Sequence, residues 1–458
     1  MELDMMPRVY APAIEGSPGR PPRSDIVDLY SLNPYAEDYQ ARAETRRCFS
    51  ATESSCQVTW TDVDAGELVT EKTLASLMEL RGYRSLHGRQ RGGSLRVLSI
   101  NQRNSWRPLN VTREMFDEIV DIAGASSNLL ELPLSFFQKM IAVEEGFTSA
   151  PVLRVSAESI EIIYIIKYAF DKSPVDKGRD PWVLRQTGVY HKYEFATRNS
   201  TWLFLNPTTN CKFQDRLKCY LLSPAERSSL SHNPLLIHSM LFATFFPAWR
   251  DYLKHLEGRM LPIANTTVAA EIDKPLRVNH ESLTAVRNTE NRCLAVQPIF
   301  RSLDKTFDVL HQANSALGEC GGIEKYELQM MKQLLNNYSA TVNSYGQAAW
   351  SLQSRTSRIA AHITDTLSFK DAYIAKRQTE FMLRDSTTVR VITVVTLTLL
   401  GMNSFFEMDD SRNIVVSRQF WIYIVCSVPL TAATLCYWWY FQKAKQRTER
   451  STTEALMV

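Results

Sequence analysis

The sequence predicts an α+β cytosolic domain, then a long coiled-coil-like stalk helix, then two C-terminal transmembrane helices. Three observations carry this. Strand-like runs rich in Val, Ile and Tyr alternate with helical patterns between about residues 90 and 225. No proline occurs between Pro298 and Pro429, and an apolar stripe steps by three and four through that stretch. Two apolar runs close to one another follow near the C-terminal end.

The 458 residues give room for two or three domains, and 45% hydrophobic with 22% charged residues is enough apolar material for an ordinary core. A net charge of +3 gives no reason to expect a nucleic-acid partner. Eight cysteines are scattered without CxxC spacing, which suggests free thiols in a reducing compartment. The first residues contain no apolar signal-like run. Six of the 19 prolines precede residue 35, so residues 1–70 are expected to form a flexible tail and 71–320 the folded domain.

Within that domain, Leu95–Ile100 reads as a short strand and Thr112 opens a helical pattern. Ser149–Phe170 and Gly188–Pro207 read as strands, the latter as two around a polar turn at Arg198, Asn199 and Ser200. Ser228–Trp249 contains no Lys, Arg, Asp or Glu. A span wants about 20 apolar residues. The dense part here is shorter and holds His238 and Pro247, which favours a buried helix over a membrane crossing.

The stripe runs through Leu328, Met331, Leu335, Tyr338, Val342, Tyr345, Ala349, Leu352, Thr356, Ile359 and Ile363, then shifts phase toward Leu367, Ile374 and Phe381. It predicts a stalk helix over 321–390, entered after Gly321-Gly322. The other reading is a soluble helical hairpin broken near Gly346. Phe420–Phe441 has no charge, carries Trp421 at one end and Trp438 and Trp439 at the other, and reads as a spanning helix over 420–441. Lys443, Lys445, Arg447 and Arg450 follow, so residues 442–458 form a basic tail on the cytosolic side. The preceding run, 391–406, is shorter. Paired with the second span it makes a hairpin that places both termini in the cytosol and residues 407–419 outside.

The first run contains Gly401-Met402-Asn403. In isolation such a tripeptide is also an ordinary helix C-terminal turn with Asn as cap. At the outer end of the first of two C-terminal spans, after a long charged helix, the arrangement resembles the CorA family of magnesium channels. Ser351–Leu397 looks like the stalk and first-helix entry of its fungal members, and Leu95–Phe116 and Val189–Pro207 look similar to their cytosolic domain. The resemblance implies a homopentamer in a lipid bilayer, the plasma membrane being favoured. Five first helices would surround the pore, and five copies of the tripeptide would form its outer filter. It implies transport of Mg²⁺ or a similar divalent cation, with no cofactor and no enzymatic activity.

The residue types suit that chemistry. Mg²⁺ gives up its waters reluctantly, so a filter for the hydrated ion needs neutral oxygens at outer-shell distance. Asn403 supplies one amide per subunit. Conduction needs weak successive binding, which a carboxylate ring would oppose. Gly401 permits close backbone approach, and Met402 is expected to pack behind the filter. Stepping back at helical spacing gives Leu399, Thr396, Ile392, Val389 and Asp385 as pore-lining residues, with Ile392 and Val389 as an apolar gate. Glu407, Asp409 and Asp410 follow the filter, either as an acidic ring that concentrates cations or as a plain polar loop.

One departure from the family stands out. Its members usually carry about 20 apolar residues between the last basic stalk residue and the tripeptide. Here ten residues, Val391–Leu400, separate Arg390 from Gly401. The expectation is a first span that inserts poorly or conducts weakly, and it keeps a non-conducting scaffold or regulatory subunit of the same fold in contention. Eight arginines without an acidic residue between Arg81 and Arg113 read as a solvated basic face. No HExxH, Walker A, GxSxG or dinucleotide fingerprint occurs.

Overall fold

The computed structural model describes residues 38–443 except 65–68, 89, 91, 142, 176–179, 210, 272–273, 321–322, 404–405, 409–413, 417–419, 423, 426, 430, 434–435 and 441–442. The chain divides into two compact units. The first takes Met1–Asn265 and Thr284–Ala360, and the second Thr266–Leu283 and Ala361–Val458.

The first unit is built on a seven-stranded sheet of β1 (Val58–Val63), β2 (Val69–Leu74), β3 (Leu95–Asn101), β4 (Val152–Val155), β5 (Ser159–Asp171), β6 (Trp182–Glu194) and β7 (Ser200–Asn206). The strand order is β2-β1-β3-β7-β6-β5-β4. Every pairing is antiparallel except β3 with β7, which runs parallel from Leu95↔Ser200 to Asn101↔Asn206.

Both faces of the sheet are covered, which explains why Ile162–Ile166 is continuously apolar instead of alternating with polar residues. Ile163, Ile165, Tyr190, Leu203 and Leu205 bury one face with Trp60, Leu98 and Ile100. Against them pack α2 (Leu77–His87), α3 (Arg113–Ala123) and the short α4 (Glu131–Leu134), while α1 (Tyr39–Arg46) packs on α4 beside them. Ile162, Tyr164, Ile166, Tyr168, Trp202 and Phe204 bury the other face. That side carries α5 (Lys212–Leu222), α6 (Pro224–His232), α7 (Leu236–Phe245), α8 (Pro247–Val268), α9 (His280–Cys320) and the first part of α10 (Lys325–Asn403).

Local sequence sets the ends of these elements. Ser76 and Thr112 cap α2 and α3 by accepting the backbone N–H three residues on, at 3.2 and 3.3 Å. Gly124 closes α3 at φ +56°, a left-handed position that suits glycine. The apolar segment around α7 is a core helix, with Ile237, His238, Met240, Leu241 and Phe242 buried.

The flexible tail expected over residues 1–70 needs correcting. From Asp38 onward the described chain is folded: α1 and β1 belong to the core, with Trp60 and Val58 fully buried. β1 looks polar in sequence because Thr59, Thr61 and Asp62 alternate with its buried Val58, Trp60 and Val63. Residues 1–37 lie outside the described residues.

The three-four stripe is real, but its partners are in the same chain. Met331, Leu335, Val342, Ala349 and Leu352 belong to the core that α7 and α9 share. The Tyr338 ring lies 5.7 Å from Phe242 and 6.2 Å from Phe307, stacked on the latter, and its hydroxyl donates to the Ser239 carbonyl at 3.2 Å. No break occurs at Gly346, and α10 is one helix of 79 residues, about 118 Å at 1.5 Å per residue. Gly321-Gly322, the expected break before it, lies outside the described residues. In the second unit Ile363 is buried, while Phe369, Ile374, Phe381, Met382 and Leu383 are exposed on α10.

Candidate ion pathway at the end of the long helix

Gly401, Met402 and Asn403 are the last three residues of α10. Because the helix is continuous, its periodicity fixes which positions share a face. At 100° per residue, Asp385, Val389, Ile392, Thr396, Leu399 and Asn403 lie within about 40° of one line along the helix, a stripe about 27 Å long. Val389 and Ile392 are 54% and 59% exposed, so among the described residues these two apolar side chains stay largely uncovered. Thr396 is exposed, and its hydroxyl donates to the Ile392 carbonyl at 2.8 Å. The side chains of Asp385, Leu399, Met402 and Asn403 lie outside the described residues.

After the helix, the segment expected as a plain outer loop contains a short antiparallel ladder of β8 (Phe406–Met408) and β9 (Ile414–Val416). Glu407 sits opposite Val415 in it, while Asp409 and Asp410 lie outside the described residues. Phe420–Tyr440 follows. Among the described residues it is the one helix long and apolar enough to cross a membrane, with mean hydropathy 1.6 over its best window and none of that window buried. Trp421 and Trp439 are exposed near its two ends, and the Lys443 ammonium sits 4.5 Å over the Trp439 ring. The first apolar run, 391–406, does not pass that test among the described residues.

The first unit holds polar groups that the sequence reading passed over. Tyr164, His238, His191 and Ser200 form a buried chain between the sheet and α7. The Tyr164 hydroxyl is 2.8 Å from His238 Nδ1, His238 Nε2 is 3.1 Å from His191 Nδ1, and His191 Nε2 is 2.9 Å from Ser200 Oγ. Trp202 Nε1 donates to the same Ser200 oxygen at 2.9 Å, and its indole stacks on His191 at 3.8 Å. Burial drives His191 down to about 3 and His238 well below the ordinary imidazole value. Both rings are therefore neutral near pH 7, each with one donor and one acceptor nitrogen. Hydrophobic pattern marks the strands but not which polar side chains meet inside, so the sequence offered no signal for this chain.

Charge is also organised at the β5–β6 hairpin end. Asp180 meets Arg259 at 2.7 Å, Arg292 at 2.6 Å and His255 at 3.5 Å, and accepts the Trp182 N–H at 2.9 Å. Burial works against its ionisation, but the Trp182 hydrogen bond and the surrounding cations prevail and lower its pKa. The arginine-rich stretch is partly structural. Arg96 pairs with Asp62 at 2.9 Å, and Arg81 and Arg84 both bind Glu118. Among the described residues no group of three His, Cys, Asp or Glu is placed to hold a metal ion.

Residues 24–268 match the model of a family described as CorA-like transporters. Several solved structures are similar to the chain. The full-length CmaX protein is 12% identical, with 86% of this chain and 100% of that one covered at a TM-score of 0.41. The CorA magnesium transporter from Methanocaldococcus jannaschii is 12% identical, with 83% and 96% covered at 0.36. The ZntB cytoplasmic domain from Vibrio parahaemolyticus is 9% identical, with 66% and 98% covered at 0.37. No curated protein matches the chain.

Proposed function

The chain belongs to the CorA-like transporters, and from that premise we propose that it is a passive, gated channel for Mg²⁺ or a similar divalent cation. The observation that carries this is the position of Gly401-Met402-Asn403. The tripeptide ends a continuous helix of 79 residues, and the membrane-length helix Phe420–Tyr440 follows after the short β8–β9 ladder. In a ring of five copies, five Asn403 amides would present neutral oxygens to a hydrated ion at the outer mouth. Ions would pass along the stripe from Leu399 to Asp385. The exposed Val389 and Ile392 would form an apolar constriction that closes by losing water. Glu407, Asp409 and Asp410 would raise the local cation concentration at the entrance. The basic residues after the second helix support a topology with both termini in the cytosol, and we favour the plasma membrane.

The test is Asn403→Ala in proteoliposomes. Divalent uptake is expected to disappear while the oligomer persists on size-exclusion chromatography. Uptake at the unmutated rate would remove the tripeptide from the mechanism.

A second reading has its own observation. The short apolar run after Arg390 favours a membrane-anchored scaffold or regulatory subunit that does not conduct. Uptake by the unmutated chain separates the two.

A further inference from the structure

Asp38, the residue before α1, lines a groove of about 460 Å³ together with Ala41 of α1, Leu134 of α4 and Phe147 of the loop that follows α4. Contacts between these elements fix its walls. Tyr39 and Ala43 of α1 are buried against Leu134 and Phe137. The Arg46 guanidinium lies 4.2 Å over the Phe137 ring and pairs with Glu144 at 2.5 Å. The loop is nevertheless left with apolar side chains in the open. Phe147 is 56% exposed on the groove, and Met140 and Ile141 are 84% and 68% exposed earlier in the same loop. Apolar surface gathered in one place marks an interaction site.

Charge does not select the occupant. Asp38, Glu131 and Glu144 line the groove beside Arg42 and Arg46, so neither sign dominates. Chain connectivity does. Ile26, Val27, Leu29, Tyr30, Leu32 and Tyr35 make six of the ten residues 26–35 large and apolar, and these residues lead directly into Asp38. Only three residues separate Tyr35 from Asp38, a reach of at most about 11 Å. So short a tether gives the segment an effective concentration of about millimolar at the groove, ahead of any free partner. The match to the family model also starts at residue 24, so this stretch belongs to the matched domain and residues 1–23 do not.

We propose that residues 26–35 of the same chain dock in this groove, with their apolar side chains covering Phe147. A polar group at the site suits a peptide occupant. Arg46 Nε is buried without an acceptor among the described residues, and the segment brings backbone carbonyls and the Glu37 carboxylate past it. Docking here fastens the loop after α4. That loop abuts α9, because a Cβ on Gly146 would lie 3.2 Å from the Ala295 carbonyl and 3.5 Å from Pro298 Cγ. The segment is thus a clip on a loop that packs against the long helices.

The experiment uses the full chain in detergent. A photoreactive benzophenone amino acid replaces the exposed Phe147, and the cross-linked product is sized on a denaturing gel and mapped by mass spectrometry. The expected result is a link from position 147 to residues 26–35 at the mass of one chain. Amide exchange of residues 144–149 is then compared in the parent, in the Leu29→Asp, Tyr30→Asp double variant and in a chain lacking residues 2–23. Exchange is expected to quicken at least about tenfold in the double variant, as loss of one buried leucine predicts, and to stay at the parent rate in the shortened chain. Both substitutions lie outside the packed core, so the double variant keeps its fold. A product at twice the chain mass would assign the groove to a second copy and overturn the proposal. A link confined to residues outside 26–35, or exchange unchanged in the double variant, would overturn it as well.

Discussion

Lowering the pH from 7 to 5 is expected to destabilise the first unit through its buried histidines. An unfolded imidazole titrates near 6.5, whereas burial holds His191 at about 3 in the folded state. Below pH 6.5 the unfolded chain binds the proton that the folded chain refuses, so stability falls as pH falls through this window and levels off only near 3. At pH 5 the difference for His191 alone amounts to about 2 kcal/mol. His238, depressed by burial and then by His191, adds in the same direction. Glu131 opposes them, since burial raises its pKa and the folded state binds its proton more readily. The lowered carboxylates Asp180 and Glu118 lose their contribution only nearer pH 4 and below. Urea unfolding followed by tryptophan fluorescence suits the measurement, because Trp202 stacks on His191 at 3.8 Å. Stability that is flat between pH 7 and 5, or a slope unchanged in His191→Phe, would refute this reasoning.

Three further outcomes follow from particular contacts. Asp180→Ala should destabilise the first unit by about 2 kcal/mol, summing part-exposed ion pairs at up to about 1 kcal/mol with a charged hydrogen bond to the Trp182 N–H; a shift in urea midpoint at constant slope is the check. Arg390→Leu should improve insertion of the first apolar run. With Arg390 about 16 Å below Gly401 and turned about 140° from Asn403, its removal is worth roughly 2.5–3.5 kcal/mol, about 70- to 400-fold, read as the modified fraction of a glycosylation acceptor placed among residues 409–413 in microsomes; a fully modified parent chain would contradict it. The sequons at Asn110, Asn199, Asn265 and Asn337 should stay unmodified in cells, and a mass shift at any of them would overturn the cytosolic topology.

What the sequence made legible follows physical lines. β5 and β7 announce themselves because strands covered on both faces need unbroken apolar runs, as Ile162–Ile166 and Trp202–Leu205 provide. β1 and β2 do not, since Thr59, Asp62, Thr70, Glu71 and Lys72 give them a polar look behind a proline-rich start. The stripe on α10 gives the helix and its buried face, but periodicity says nothing about who fills the other side. Here α7 and α9 do, as far as Leu352, and a coiled coil between copies is not needed to explain that part. Family membership rests on residues 24–268, whereas the motif that suggested the family lies at 401–403. The two signals come from opposite ends of the chain and agree. The hydrogen-bonded His191–His238 pair was invisible, because 47 residues separate two histidines that only the tertiary fold brings to 3.1 Å.

Ion flux through the unmutated chain distinguishes a conducting pore from an inert membrane anchor. Purified full-length protein would be reconstituted into liposomes loaded with a Mg²⁺-sensitive dye, beside protein-free liposomes and liposomes carrying Asn403→Ala. Mg²⁺ is expected to enter down its gradient in the first sample alone, without a nucleotide. Equal dye signal in all three samples, with the protein inserted and oligomeric, would contradict it and leave the chain a membrane-anchored relative that does not conduct.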